Sequence, residues 1–176
     1  AMSMGFLPLC PMATIIRVNI NRVGDLQCTD GLATRYVVDR DCIEVNLQKD
    51  TVLTLGESGI VRVLKEADVT ETYVQWLNNY DVVNFTEQRF SMHDLGTVQA
   101  FVREKFVSNN DYLFGIFWDK CHIGNIKLGP INWHHLTADV SYFLGSKDHW
   151  GKGIATLAVG SVVVFADSVL RLKKLN

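Results

Sequence analysis

Apolar positions in this chain change period as the chain proceeds. Up to residue 64 they come in short extended runs. Ile15–Ile20, Tyr36–Val38, Ile43–Leu47 and Thr51–Leu55 read as strands, separated by turns at Gly24-Asp25, Asp30-Gly31, Asp39–Asp41 and Lys49-Asp50. Gly56-Glu-Ser-Gly59 reads as a boundary, and Ile60–Leu64 as the first strand of a main domain. The spacing then turns helical. Val69, Tyr73, Trp76, Leu77 and Tyr80 share one face, with Asp68 and Glu71 at the helix start and Asn78-Asn79 at its stop. Ser91 with Asp94 opens a second helix that carries Leu95, Val98, Val102 and Phe106 inward. Tyr112–Trp118, His122–Leu128 and Ala138–Leu144 follow as strands, the first two joined tightly at Asp119-Lys120. Gly129-Pro130 breaks the second. Short connections between consecutive strands predict an antiparallel meander. A last helix from Gly153 to about Val169 is apolar on nearly all sides, so deep packing is expected, with Gly160 and Ser161 allowing a close approach to the sheet. Leu170–Asn176 reads as a turn toward a further strand that would begin at or after Asn176.

The stretch from Tyr142 to Ala155 carries the chemistry. A strand ends near Gly145, a polar turn follows, and Gly151 and Gly153 lead into the apolar helix. That order gathers free backbone N–H groups and a helix N-terminus at one point, which suits a phosphate. A Walker loop needs one fewer residue between Gly145 and Gly151, and Ser or Thr where Gly153 stands. A dinucleotide fingerprint needs a βαβ crossover, and hairpins precede this turn instead. Both readings fail.

In that element order, Asp148-His-Trp-Gly-Lys-Gly-Ile-Ala155 resembles the acetyl-CoA pyrophosphate loop of the GNAT superfamily of N-acetyltransferases. The pattern there is Gln/Arg-x-x-Gly-x-Gly/Ala between a strand and a helix. The Trp-Gly-Lys-Gly version resembles the branch of ribosomal-protein N-terminal and amino-sugar acetyltransferases. The resemblance covers roughly residues 60–176 and includes Val74-Gln-Trp-Leu-Asn78 and Ile123–Leu128. It implies an α+β fold (an α/β sandwich) with a mixed, mostly antiparallel sheet flanked by helices and preceded by a β-rich N-terminal segment. It also implies that acetyl-CoA is the cosubstrate, with no metal. Backbone N–H groups of His149, Trp150, Gly151, Lys152, Gly153, Ile154 and Ala155 would cradle the pyrophosphate, and Tyr142, Phe143 and Leu144 would pair with the pantetheine amides. Asp148 departs from the family's Gln or Arg and is mildly repulsive there, which Lys147 and Lys152 partly offset.

Acetyl transfer to an amine needs a base for its proton. Asp139 falls where the family often has a Glu. An ordinary aspartate near pKa 3.9 needs roughly 4 kcal/mol of burial to reach about 7, or a water relay. His134 and His135 start near 6.5 and compete for the role. Asn84 and Phe85, in the stretch where the family admits its acceptor, and Trp133 complete the substrate-side candidates. Each has a plain structural alternative. Asp139 could be a satisfied carboxylate, His134 and His135 exposed loop residues, Trp133 a cover for the sheet edge, and Cys121-His122 part of a hairpin.

Bulk properties narrow the classes. A formal charge of −2 gives no basic footprint for nucleic acid. No apolar run is long enough to read as a membrane span. Cys10, Cys28, Cys42 and Cys121 form no C-x-x-C pair, which fits reduced thiols in a cytoplasmic protein. Residues 1–13 read as tag scar and leader, 14–58 as the β-rich segment, and 59–176 as an acetyltransferase domain lacking its last strands. The resulting open sheet edge favours a homodimer, or cover by the N-terminal strands. The expected activity is acetylation of a primary amine, on a small molecule or a protein N-terminus, by direct attack. The alternative is a non-catalytic acetyl-CoA- or CoA-binding or interaction module. Acidic residues are few around Asn84–Arg89, which tilts away from polyamine acceptors.

Overall fold

The structure is a computed structural model that describes residues 51–176. The expected leader, the strands at 15–20, 36–38 and 43–47, and Cys10, Cys28 and Cys42 lie outside the described residues. Hairpins build the sheet. β1 (Val52–Leu55) pairs antiparallel with β2 (Gly59–Val63), β2 with β3 (Tyr112–Trp118), and β3 with β4 (Cys121–Leu128). Gly56–Gly59, expected as a boundary, instead contains a hairpin turn, and Leu53 and Leu55 of β1 belong to the main core. Asp119 and Lys120 both have positive φ (47° and 68°), the backbone of a two-residue hairpin turn whose twist matches the strands.

Three helices of the front layer follow β2. These are α1 (Glu71–Leu77), a short α2 (Tyr80–Val83) that the apolar spacing does not announce, and α3 (Leu95–Val107). The cap of α1 differs from expectation. Thr70 Oγ1 accepts the N–H of Tyr73 at 3.3 Å, while Asp68 sits in a 3-10 turn and accepts both Arg62 terminal nitrogens at 2.7 and 2.6 Å. A carboxylate claimed by an arginine of the preceding strand is not free to cap. Of the expected pair Ser91 and Asp94, Asp94 alone caps α3, accepting the Thr97 N–H at 2.9 Å, while Ser91 ends the 3-10 turn before it.

The strand expected over Ala138–Leu144 divides in two. β6 (Val140–Leu144) pairs with β4 and ends the five-stranded sheet, whose order is β1-β2-β3-β4-β6. β5 (Thr137–Ala138) instead pairs in parallel with β7 (Lys174–Leu175). The further strand therefore starts at Lys174, ahead of the point expected. Asp139 lies between the two pairings.

Two apolar cores sandwich the sheet. On one face α4 (Ile154–Ser168) sets the Phe165 ring edge-on against Tyr112 and Phe114, at 5.5 and 5.8 Å between centroids. On the other, α1 and α3 pack Tyr73, Val74, Leu77, Val98 and Val102 over Leu113 and Phe117. β3 is buried on both sides and supplies rings to both cores, each fully buried one contributing about 1.5–3 kcal/mol. The expectation of deep burial for α4 holds on one side only. Ile154, Ala158, Ser161, Val162, Phe165 and Ala166 are buried, while Leu157 and Val163 face outward. Among the described residues no helix is long and apolar enough to cross a membrane.

Glycines at 145 and 160 have opposite roles. A Cβ on Gly145 would fall inside the Trp76 indole, so the start of the turn is seated directly on α1. A Cβ on Gly160 would meet nothing within 4 Å, so this glycine does not create the close helix–sheet approach expected of it. Gly160→Ala is expected to stabilise the fold by about 0.5–1 kcal/mol through helix propensity. Gly145→Ala is expected to cost about 2 kcal/mol or more by overpacking. Urea unfolding of the two variants reads both signs, and a stable Gly145→Ala would mean that Trp76 does not seat the turn.

Candidate active site

Backbone direction builds the site. Along a strand, successive residues present their N–H and C=O groups to alternate sides. The Val140 N–H donates outward to the Asn176 carbonyl at 2.9 Å, so Tyr142 and Leu144 also present theirs to the outer edge of β6. No strand pairs with that edge beyond Val140 among the described residues. The Leu144 carbonyl is occupied at its outer end, where the Trp150 indole N–H donates to it at 2.9 Å. What remains for a ligand is the N–H and C=O of Tyr142 and the N–H of Leu144. The Phe143 backbone faces β4 opposite Asn125, so of the three expected pairing residues it is the one that cannot serve.

The edge runs into the turn. Residues 147–149 form a 3-10 turn in which the His149 N–H bonds to the Ser146 carbonyl and the Trp150 N–H to the Lys147 carbonyl, at 3.2 and 3.0 Å. Those two donors are consumed, and the cradle narrows to Gly151 onward. Gly151 and Gly153 both lie in the left-handed region (φ 70° and 75°), and a Cβ on either would meet nothing within 4 Å. The first bond of α4 runs from the Leu157 N–H to the Gly153 carbonyl at 3.1 Å. Ile154, Ala155 and Thr156 therefore offer N–H groups with no helical acceptor. Thr156 is absent from the sequence-derived set, although its place in the first turn of the helix was the available signal. Open space over two glycines, three helix-end donors and a free strand edge together fit a ligand with a pyrophosphate and an amide-bearing arm. Asp148 and Lys152 are exposed beside the cradle. Lys147 does not offset Asp148 as expected. Its ammonium sits 2.6 Å from Asp81 Oδ2 on α2 and 5.9 Å from the Trp150 ring centroid.

The base candidates separate. Asp139 is exposed where β5 and β6 diverge, its carboxylate accepting the Asn176 amide at 3.0 Å. His134 and His135 lie on the loop before β5, their backbone N–H groups both donating to Asn132 Oδ1 at 3.1 and 3.0 Å. The strand path from Thr137 to Leu144 is about 23 Å at ~3.3 Å per residue, so these histidines sit at the opposite end from the cradle. Trp133 donates to the Asn109 carbonyl and Asn110 Oδ1 at 3.2 and 3.0 Å, which ties it to the α3–β3 connection. The structure thus groups Tyr142, Leu144, Gly151, Lys152, Gly153, Ile154 and Ala155 around one edge, with Asp139 at its far end, and leaves His134, His135 and Trp133 outside. Asn84 and Phe85 follow α2, which packs against β6.

The family model of the acetyltransferase (GNAT) domain matches residues 60–176. The chain belongs to the GNAT acetyltransferase family. No curated protein sequence matches it significantly. Among solved structures, the spermidine N-acetyltransferase from Vibrio cholerae in complex with CoA and spermine superposes with a TM-score of 0.59 at 20% identity, over 68% of this chain and 70% of that one. A probable acetyltransferase gives 0.58 at 21% identity, over 70% and 71%. The microcin C7 self-immunity acetyltransferase in complex with acetyl-CoA and AMP gives 0.55 at 19% identity, over 65% and 66%. At these identities the structural likeness speaks for the fold. The family match carries the chemistry, acetyl transfer from acetyl-CoA to an amine.

Behind β6 the GNAT sheet holds a polar pair. His122 is enclosed by Phe117, Trp76 and Tyr73 at 5.0, 5.3 and 5.5 Å between centroids. Its Nε2 faces the Gly124 carbonyl and Asn125 Oδ1 at 3.1 and 2.7 Å, which places the ring proton there. Nδ1 meets no partner. Burial pushes the imidazole pKa down, and the bonds to Asn125 and Gly124 offset this only in part. The folded pKa lies below the ordinary 6.5, so as pH falls the unfolded chain takes up its proton first. Stability from this group is full above pH 6.5 and declines below it, by up to about 1.4 kcal/mol per pH unit, until the folded value is reached. Urea unfolding at pH 7.5 and 5.5 is expected to show this loss. In His122→Phe the pH-dependent part shrinks, whatever its absolute stability, and an unchanged pH slope would remove His122 as the cause.

Proposed function

We propose that this GNAT domain binds acetyl-CoA along the outer edge of β6 and the cradle at Gly151–Thr156, and acetylates a primary amine of a small molecule or a protein N-terminus. The observation that carries the reading is that, among the described residues, backbone groups left unclaimed at Tyr142 and Leu144 lie on the strand edge that leads into the turn holding Gly151, Gly153 and the unbonded first N–H groups of α4. The structures solved with CoA and with acetyl-CoA support the choice of cosubstrate. The Trp-Gly-Lys-Gly turn supports the branch of ribosomal-protein N-terminal and amino-sugar acetyltransferases. The exposed free thiol of Cys121 is in keeping with a reducing, cytoplasmic setting.

Acetyl-CoA supplies an activated acyl group. The amine nitrogen forms a bond to the acyl carbon, the C–S bond breaks, the nitrogen loses a proton and the thiolate gains one. The tetrahedral oxygen that forms on the way is served by the N–H groups left on the β6 edge. Asp139 is exposed at the divergence of the strands and takes the proton through water, which relaxes the demand on its basicity. An α-amine, with a pKa near 8, needs less of this help than a lysine amine near 10.4.

Isothermal titration with CoA and an amine-dependent thiol-release assay test the proposal. Micromolar CoA binding is expected, weakened at least tenfold in Gly153→Ala, where a Cβ strains a left-handed residue and enters the cradle. Asp139→Asn is expected to lower kcat/KM about 10²-fold with CoA affinity unchanged. Binding without amine-dependent thiol release would favour a non-catalytic CoA-binding module, and absence of binding would remove the proposal.

A further inference from the structure

Residues 79–92 form an excursion closed at its base. The Asn78 side-chain amide donates to the His93 carbonyl at 2.8 Å, and the His93 N–H returns a bond to Asn78 Oδ1 at 2.9 Å. Inside it, Val82 and Val83 are buried. Outside, the large apolar side chains point to solvent: Tyr80 is 66% exposed, Phe85 95%, Phe90 71% and Met92 87%. Such a concentration on one short loop marks a contact surface.

The loop is held in shape around Phe85. Arg89 donates to the Asn84 carbonyl at 2.6 Å, and the Thr86 N–H and hydroxyl both donate to the Val83 carbonyl at 2.8 and 2.9 Å. The Phe85 backbone is therefore fixed on both sides while its ring stays free. A ring with only two side-chain torsions on a fixed backbone loses little entropy when it is covered. The loop also adjoins the cosubstrate site, because α2 packs on β6 and Asp81 is ion-paired to Lys147 of the turn.

Charge selects among amines. The loop carries two carboxylates: Asp81 is ion-paired to Lys147, and Glu87 has Arg89 as a counter-charge two residues on, whose guanidinium bonds the Asn84 carbonyl and lies 4.5 Å from the Phe90 ring centroid. A polyamine needs carboxylates in excess along its length. This surface offers rings and no net charge.

We infer that the acceptor is a singly charged amine carrying an aromatic or other planar ring, with Phe85 covering the ring and Tyr80, Phe90 and Met92 framing it. This rests on the amine-acetylation reading above and names its substrate class.

Isothermal titration of the full chain saturated with CoA, using 2-phenylethylamine, butylamine and spermidine as probes, tests it. The ring-bearing probe is expected to bind at least tenfold more tightly than the other two, and Phe85→Ala is expected to remove that advantage while CoA affinity stays the same. Because the Phe85 ring is exposed, the variant should retain the fold, which circular dichroism checks. Equal or tighter binding of spermidine overturns the inference, as does a Phe85→Ala chain that keeps the preference. If sedimentation shows Phe85→Ala breaking a dimer while probe binding is unchanged, the surface serves self-association and the inference also falls. CoA titration alone reads the parent proposal. CoA binding without ring preference overturns the acceptor class only, whereas absence of CoA binding removes the parent proposal and this inference with it.

Discussion

A strand has two edges, and each of its residues can serve only one of them. The site of this protein follows from how that constraint is met between Thr137 and Leu144. On one side the segment pairs with β4 as far as Leu144. On the other, β7 pairs with Thr137 and Ala138, and the last such bond runs from the Val140 N–H to the Asn176 carbonyl. Beyond Val140 the outer groups have no strand to meet. Unpaired backbone at a sheet edge invites another extended chain, and the amide-bearing arm of a cosubstrate is such a chain.

Three contacts keep that edge aligned with the anion cradle. Gly145 rests on the Trp76 indole, the Trp150 indole closes the Leu144 carbonyl, and Lys147 joins the turn to Asp81. The first acts through exclusion, since no side chain fits between α1 and the turn. The second converts the last strand carbonyl from a ligand partner into a support for the turn. The third is exposed at both ends, so its contribution to stability is small. Its consequence is geometric, because it links α2 to the turn that leads into α4.

Much of this was legible in the sequence. The three hairpin-linked strands, the Asp94 cap and the left-handed glycines before α4 all follow from local patterns, since turn residues, cap residues and apolar period act within a few positions. What escaped depends on partners far along the chain. Trp133 is claimed by Asn109 and Asn110, and the division at Asp139 is set by Lys174 and Leu175, while Asp68 is withdrawn from capping by Arg62, six residues back on β2, a pairing that the apolar period does not record. The pairing of His149 and Trp150 N–H groups inside a 3-10 turn is local, but a motif that records only residue types does not distinguish a spent donor from a free one.

The same distinction bears on the acceptor. The fold is shared with a spermidine N-acetyltransferase at about one residue in five. A fold does not specify its substrate. In the proposed binding mode the cosubstrate is held by backbone groups, which any sequence with the right glycines can present. The acceptor surface inferred above instead consists of side chains, whose identity the sheet does not constrain. Tyr80, Phe85, Phe90 and Met92 contribute almost nothing to either core, so packing places little demand on their identity. Solubility alone would favour polar residues there. Their presence as large apolar groups, on a loop closed by Asn78 and His93 and braced by Arg89, is what the inferred acceptor surface would use.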